Sequence, residues 1–250
     1  MADMEILLAG GNATAAVVRV GDTVRKPVVA SSAATTHFLS AMRAAGIDAP
    51  RPQGVDEAGR LVLEFVPGAL ADDREPDLSE LRDIGRLVRR IHDASLAYAL
   101  EPDAVWDAII PPPGVPELIC HNDLTPWNLV IGERMVFIDW DGAGPSTRAW
   151  DLAYSAQAFA GLHAEADEVV GAQRLRAIVD GYDPDEALRR ELPALLAVRA
   201  QAMHDMLADA HRDGRMPWAR VYAEGHGAFW AAAAEWIRQR EHVWQAALRT

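Results

Sequence analysis

The chain has 250 residues, of which 50% are hydrophobic and 24% charged, enough for one two-lobed domain or two small domains with a buried core. The net charge is −13 and nothing resembles a basic patch with interleaved aromatic residues, so we predict no nucleic-acid partner. No apolar run is long enough for a membrane span and the first residues lack the basic region of a signal peptide, so we expect a cytoplasmic protein without a membrane partner. Cys120 is the only cysteine, which excludes an intrachain disulfide and favours a packed thiol.

The amino-terminal segment predicts an antiparallel β-meander whose first turn is rich in glycine. Its strands and that turn are, in order, residues 4–9, Gly10-Gly11-Asn12, 16–20 and 23–29. Glycines there let backbone N–H groups approach phosphate oxygens closely, although an ordinary hairpin turn accounts for the same residues. Pro27 cannot donate a hydrogen bond to a neighbouring strand, so the third strand is predicted to lie at an edge or to end its pairing there.

Lys26 is the only lysine among 24 basic residues. An ammonium group is a compact point charge that fits between α- and β-phosphates, whereas a guanidinium group is a wide planar fork. A surface lysine spared by drift is the alternative explanation. The position of Lys26, on a strand that follows a glycine-rich turn, favours a phosphate ligand.

Helical spacing of apolar residues predicts most of the remaining elements. Residues 32–45 form a predicted helix, and a strand pair follows around a turn at 56–59. The most regular helix covers residues 78–95, behind a capping pair formed by Asp77 and Glu80. After residue 148 the pattern is almost entirely helical, with segments near 149–162, 165–180, 185–212 and 217–247.

Between these helical regions lies the most informative stretch of the chain. Asp123 and Asn128 are five residues apart in a short loop, and the two-strand ribbon that follows delivers Asp139 and Asp141. Phosphoryl transfer needs a carboxylate that orients the attacking hydroxyl and takes its proton, and it needs hard oxygen ligands for Mg²⁺. Asp123 suits the first role, and Asn128 with Asp139 suits the second. The apolar run 135–138 predicts a buried strand that holds Asp139 in place.

Three spaced elements resemble, in order, those of the aminoglycoside phosphotransferase and choline kinase family, relatives of the protein kinases: Lys26, His121-x-Asp123-x-x-x-x-Asn128 and Ile138-Asp139-Trp140-Asp141. The resemblance runs from about residue 5 to about residue 155. It includes residues 63–68 as the connector between two lobes, 84–93 as the helix before the catalytic loop, and 150–154 after the metal-binding strand.

The resemblance implies an α+β, two-lobed protein kinase-like fold. A small antiparallel N-lobe with one helix is expected at residues 1–67, a connector at about 64–68, and a larger, mainly helical C-lobe at 69–250. The implied cofactors are ATP or GTP together with Mg²⁺, and the implied substrate is a small molecule that carries a hydroxyl group. The implied activity is that of a small-molecule kinase.

The family pattern also implies roles for individual residues. Asp123 is the expected catalytic base, and Asn128 and Asp139 are the expected metal ligands. His121 is expected to brace the catalytic loop, with coordination as the less favoured alternative. The remaining implied residues are Lys26, Gly10, Gly11, Asn12, Glu64 and Val66 for the nucleotide, and Asp141 and Asp151 in support.

Two supporting residues keep alternatives open. Asp141 is either a second metal ligand or an exposed neighbour. Asp151 is expected to hydrogen-bond the backbone of the catalytic loop, although a simple helix cap explains it too. Trp127, within that loop, is the best candidate for contact with the acceptor. The aromatic residues of the last helices favour ordinary packing over a cage for a quaternary ammonium group: Tyr222, Phe229, Trp230, Trp236 and Trp244.

The chain departs from the kinase pattern at one position. Kinase-like folds usually hold the strand lysine with a glutamate from the next helix, yet no acidic residue lies between Asp22 and Asp48. The partner of Lys26 is therefore predicted to be Thr35 or His37, or else Asp139 and the phosphates alone.

Three functions are compatible with the sequence. A small-molecule phosphotransferase is favoured, and a nucleotide-binding protein with little turnover is the main alternative because of the missing glutamate. An iron-binding facial triad, built from His121-x-Asp123 and a distant histidine, is disfavoured because the chain turns helical where such a fold needs strands. The sequence leaves the acceptor, the choice of ATP or GTP, and the oligomeric state open.

Overall fold

The computed structural model describes residues 4–8, 17–99 and 103–249, and within them an antiparallel sheet precedes a larger, mainly helical part. The strands are β1 (Glu5–Leu7), β2 (Val18–Val20), β3 (Thr23–Pro27), β4 (Pro52–Val55), β5 (Arg60–Glu64), β6 (Ala69–Leu70), β7 (Leu118–Cys120), β8 (Leu129–Ile131), β9 (Met135–Phe137) and β10 (Gly144–Ser146). The helices are α1 (Ser32–Ala44), α2 (Leu78–Leu96), α3 (Arg148–Ala160), α4 (Glu168–Tyr182), α5 (Glu186–Arg212), α6 (Trp218–Val221), α7 (Gly227–Gln239) and α8 (Glu241–Leu248). These elements agree with the predicted α+β organisation.

The amino-terminal sheet has five antiparallel strands in the order β1-β2-β3-β5-β4. β3 therefore lies in the middle of the sheet, and Pro27 is its last residue, opposite Arg60. Of the two predictions for Pro27, the edge position is wrong and the end of pairing is confirmed. Helix α1 buries Phe38, Leu39 and Met42 in the main hydrophobic core. The predicted glycine-rich turn, Gly10-Gly11-Asn12, lies outside the described residues.

Helix α2 forms as its sequence pattern predicts. Asp77 is the N-cap, and its side chain accepts hydrogen bonds from Ser79 and Glu80, whose own carboxylate accepts from the Asp77 backbone N–H. The apolar face of α2 is buried against α4. The two helices approach closely at two glycines, because a Cβ atom on Gly85 would lie 2.1 Å from the Ile178 carbonyl oxygen, and one on Gly181 equally close to a carbonyl of α2.

The carboxyl-terminal segment corrects one prediction. Residues 217–247 do not form a single helix but three, with a π-helical stretch at Tyr222–His226 between α6 and α7. Gly225 has φ of 107°, which a right-handed helix cannot contain, and Arg240 leaves helical geometry between α7 and α8. None of the described helices is both long and apolar enough to cross a membrane.

Candidate active site

The predicted base and one predicted metal ligand lie in direct contact. The Asn128 side-chain amide donates to a carboxylate oxygen of Asp123 at 2.7 Å and to its backbone carbonyl at 3.1 Å. A short 3₁₀ turn at Pro126–Asn128 brings the two residues together. The Asn128 carbonyl then accepts from the Ile138 N–H at 2.8 Å. The loop is thereby tied to the ribbon that carries Asp139.

His121 supports this loop from within the core. It is fully buried, its Nε2 lies 3.0 Å from the Ile138 carbonyl, and its Nδ1 accepts from the Asp123 N–H at 3.2 Å. Burial lowers the pKa of His121 to about 4, so the ring is neutral with its proton on Nε2. Both ring nitrogens of His121 make hydrogen bonds, as a residue that braces the loop would, and neither is free to bind a metal.

Two residues of the site, Asn122 next to Asp123 and the carboxylate Asp139 itself, adopt left-handed backbone conformations. Asn122 has φ of 65° and Asp139 has φ of 58°. The Asn122 side chain donates to the carbonyls of Gly142 and Gly144 at 3.0 and 3.4 Å, so it joins the catalytic loop to the segment after Asp139. Such conformations are uncommon for residues other than glycine and concentrate at functional sites. Sequence reasoning missed Asn122, although asparagine's tolerance of this conformation is a signal.

The carboxylates influence one another electrostatically. Burial raises the pKa of Asp123 to about 6, and the negative charge of Asp139 adds to the rise. The hydrogen bond from Asn128 and the positive charge of Arg199 oppose it. The protein around Asp139 and the negative charge of Asp141 raise the pKa of that carboxylate as well, against the charge of Lys26. A site of this kind gains from a cation, because its negative charges are close together and partly withdrawn from water.

Lys26 has a partner that the sequence did not reveal. The residue is 6% exposed; its ammonium group forms an ion pair with Asp141 and lies 3.7 Å from an Asp139 carboxylate oxygen. The prediction of Thr35 or His37 as the partner is wrong. The carboxylate comes from the other side of the site, two residues beyond Asp139, and takes the place of a helix glutamate.

The oxygen donors at this position fit a magnesium ion. The side chain of Asp139 is 43% exposed, and Lys26 is its only ion-pair partner among the described residues. Asn128 binds Asp123 through its amide nitrogen, so its side-chain oxygen is not used in that contact. Carboxylate and amide oxygens are the ligand types that Mg²⁺ takes.

Asp151 occupies a buried network instead of the predicted place beside the catalytic loop. One carboxylate oxygen lies 3.0 Å from His92 Nε2, and His92 Nδ1 lies 2.9 Å from the Tyr182 hydroxyl. The expected hydrogen bond to the loop backbone is not formed among the described residues, since His92 of α2 takes one carboxylate oxygen and the other has no partner. Cys120 lies close enough to His92 and Asp151 for the three to form a cluster that could hold a metal ion. Both ring nitrogens of His92 are already hydrogen-bonded, however, and burial raises the pKa of the Cys120 thiol. We assign the cluster a structural role.

The side chains of Glu64 and Val66, in the predicted connector, have partners within the protein. Glu64 pairs with Arg134 at 2.6 Å and accepts from the Arg51 N–H at 3.1 Å, which links the sheet to the ribbon of β8 and β9. Val66 is buried in a small cluster with Val130 and Val136. Since both side chains have partners within the protein, the prediction that this segment contacts a nucleotide now rests on its backbone.

Two further residues, Tyr154 and Arg199, lie close enough to Asp123 to interact with it electrostatically, and neither was predicted as a site residue. Tyr154 is buried, its ring centroid lies 6.5 Å from that of Trp127 and 6.0 Å from that of Trp230. Arg199 of α5 stacks on the same ring, with its guanidinium carbon 4.0 Å from the centroid. Trp127 itself is 40% exposed, as a residue that meets an acceptor needs to be. The aromatic residues of the last helices are mainly packed: Trp230, Trp236 and Trp244 are buried.

Comparisons with known proteins find similarity both in sequence and in fold. Residues 95–192 match the model of the phosphotransferase enzyme family. An aminopropanol kinase associated with a microcompartment has a TM-score of 0.69 at 14% identity, covering 99% of this chain and 95% of that one. A choline/ethanolamine kinase family protein from Mesorhizobium loti has a TM-score of 0.62 at 20% identity, with coverage of 98% and 92%. A comparison with curated protein sequences finds no match.

A third solved structure is an amicoumacin kinase in complex with AMP-PNP, Ca²⁺ and Ami. Its TM-score is 0.67 at 14% identity, and the match covers 95% of this chain and 87% of that one. At these identities the likeness establishes the two-lobed protein kinase-like fold. Within residues 95–192 the sequence is similar to the phosphotransferase enzyme family, and the chain as a whole has the protein kinase-like fold that the resemblance implied.

Proposed function

We propose that the protein is a small-molecule kinase that transfers the γ-phosphoryl group of ATP or GTP to a hydroxyl group, with Mg²⁺. The observation that carries the proposal is the contact between Asp123 and Asn128, with Asp139 and Lys26 adjoining. A proton acceptor, oxygen ligands for a metal and a cation for phosphates are then side by side. The family match at residues 95–192 and the fold support the same reaction.

In the proposed reaction Asp123 orients the acceptor hydroxyl and takes its proton. The hydroxyl oxygen forms a bond to the γ-phosphorus as the bond from that phosphorus to the bridging oxygen breaks, and the nucleoside diphosphate leaves. Asn128 holds the Asp123 carboxylate through its 2.7 Å hydrogen bond. Positioning of this kind supplies much of the rate enhancement in phosphoryl transfer.

Asn128 and Asp139 are the residues that would hold Mg²⁺. When bound, the metal neutralises charge on the phosphates. Lys26 would contact the phosphates on the same side. In this structure its ammonium is held by Asp141, so the proposal assigns Asp141 the part of orienting Lys26. Gly10, Gly11, Asn12 and the backbone near Glu64 and Val66 stay predictions for the nucleotide site.

The proposal is tested with purified protein, ATP–Mg²⁺ or GTP–Mg²⁺, and a panel of hydroxyl compounds. Products are detected by the mass of an added phosphoryl group, with Asp123→Asn as the inactive control. A phosphorylated product that depends on Asp123 supports the proposal. Nucleotide binding without product from any acceptor would favour the alternative, a nucleotide-binding protein with little turnover.

A further inference from the structure

Arg199 is a buried cation that forms no ion pair with any of the described residues. It lies on α5, is 3% exposed, and its Nε and Nη1 atoms make no hydrogen bond in the part of the chain that the structure describes. Arg174 shows what a satisfied arginine looks like here: it donates to the carbonyls of Phe159 and Pro76 and pairs with Glu75. Among the described residues, the Arg199 guanidinium instead stacks on the rings of Tyr154 and Trp150, with its carbon 4.0 and 5.4 Å from their centroids.

An arrangement of this kind is unfavourable unless something compensates it. A buried guanidinium retains its charge, and stacking on aromatic rings recovers only part of the lost hydration. Asp123 and Asp151 favour the charge from a distance, but neither is hydrogen-bonded to it among the described residues. The Nε and Nη1 donors are therefore left to pair with a carboxylate or phosphate group, which the guanidinium matches in shape and charge.

The position of Arg199 ties it to the acceptor side of the site. Its partner Tyr154 adjoins Trp127 of the catalytic loop and Trp230 of α7. The phosphate side is built from other elements, namely β3 with Lys26 and the segment after β9 with Asp139. An anion bound by Arg199 would therefore belong to the molecule that presents its hydroxyl to the catalytic loop.

We propose that Arg199 binds an anionic group of the acceptor, so that the substrate is a hydroxyl compound that carries a carboxylate or a phosphate. The assignment of this anion to an acceptor rests on the proposed function. Anion binding by Arg199 does not, because it follows from the unpaired buried guanidinium. The two statements can therefore fail separately.

Anion binding is tested by thermal unfolding without nucleotide. Sodium acetate and inorganic phosphate are compared with sodium chloride at equal ionic strength, for the wild type, Arg199→Met and Arg190→Met. Arg190 is the matched control, because it lies on the same helix with its side chain 70% exposed. We expect at least one of the two anions to raise the wild-type melting temperature by about 2–4 °C more than chloride does, with the rise kept in Arg190→Met and lost in Arg199→Met.

The same measurement can overturn the inference. No rise in the wild type, or an equal rise in Arg199→Met, means that Arg199 holds no anion. Arg199→Lys keeps the charge without the fork and is expected to respond several-fold more weakly. If neither variant at position 199 folds, the arginine is part of the core and the inference is wrong.

The acceptor class is tested with compounds of one carbon skeleton. Glycerate, glycerol 3-phosphate and glycerol are compared as competitors of anion binding and as acceptors of the phosphoryl group. Preference for glycerate identifies a carboxylate as the recognised group, and preference for glycerol 3-phosphate identifies a phosphate. Equal use of glycerol, unaffected by Arg199→Met, overturns the inference. An Arg199-dependent anion response without product from any acceptor would instead count against the proposed function alone.

Discussion

The two sides of the candidate site are held in different ways. On the catalytic-loop side, Asp123 is supported entirely by neighbours from the same lobe, through hydrogen bonds with Asn128 and His121. On the phosphate side, Lys26 comes from the sheet and is held by Asp141, which belongs to the other lobe. The first arrangement is complete within one packed unit. The second exists only when the two lobes are together.

The two sides of the site should therefore respond differently to a ligand. The loop geometry depends on buried contacts with fixed partners, so it is expected to persist without nucleotide. The ion pair of Lys26 joins two parts of the chain and competes with the phosphates that the proposal assigns to it. Substitutions on the loop side should therefore affect the chemical step, and those on the phosphate side should affect nucleotide binding.

The largest effect is expected for Asp123→Asn. The amide cannot take the proton of the acceptor, so phosphoryl transfer should fall by about 10²-fold or more while nucleotide affinity stays close to that of the wild type. Steady-state kinetics and calorimetric titration of nucleotide provide the two measurements. Equal turnover in the variant would remove Asp123 from the role of base.

The next largest effect concerns the metal. If Asp139 is a ligand, nucleotide binding should depend strongly on Mg²⁺ in the wild type, and Asp139→Ala should abolish that dependence. Asp141→Asn is the matched comparison, since its carboxylate binds Lys26 in the structure. It should keep the Mg²⁺ dependence with a weaker overall affinity. Calorimetry with and without metal measures both, and Mg²⁺-independent binding in the wild type would argue against the site.

A smaller effect is expected when Lys26 is replaced by arginine. The charge is kept but its shape changes, so a point-charge role predicts a loss of about 1–3 kcal/mol in nucleotide binding and in the activation barrier. Arg25→Lys, on the same strand, is the control, because Arg25 pairs with Asp56 away from the carboxylates. A variant that binds and turns over ATP–Mg²⁺ like the wild type would mean that Lys26 is not the phosphate ligand.

The last prediction concerns the stability of the interface between helices α2 and α4. Gly85→Ala would place a methyl group 2.1 Å from the Ile178 carbonyl, so α2 and α4 must separate, and we expect a loss of about 1–3 kcal/mol in the free energy of unfolding. Gly114→Ala is the control, since no atom lies within 4 Å of its Cβ position and it should be nearly neutral. Chemical denaturation measures both. Unchanged stability of Gly85→Ala would show that this interface adapts.

Local signals were sufficient for much of the fold. Helix α2 follows from its apolar spacing and the capping pair, because both act within a few residues of one another. The same holds for the loop from Asp123 to Asn128, whose contact spans five positions. The break in the carboxyl-terminal segment was missed, since a single glycine within a helical pattern does not reveal whether it will take a positive φ.

The sequence by itself determined the chemistry available to this protein, a carboxylate, an amide and a second carboxylate at kinase-like spacing, with one lysine upstream. Tertiary structure decided which groups meet. Asp141 reaches Lys26 across 115 positions, and Arg199 arrives beside Tyr154 from a helix whose pattern shows only ordinary amphipathicity. The reason is physical: spacing constrains residues that share a turn or a strand, whereas a contact between distant segments depends on how whole elements pack.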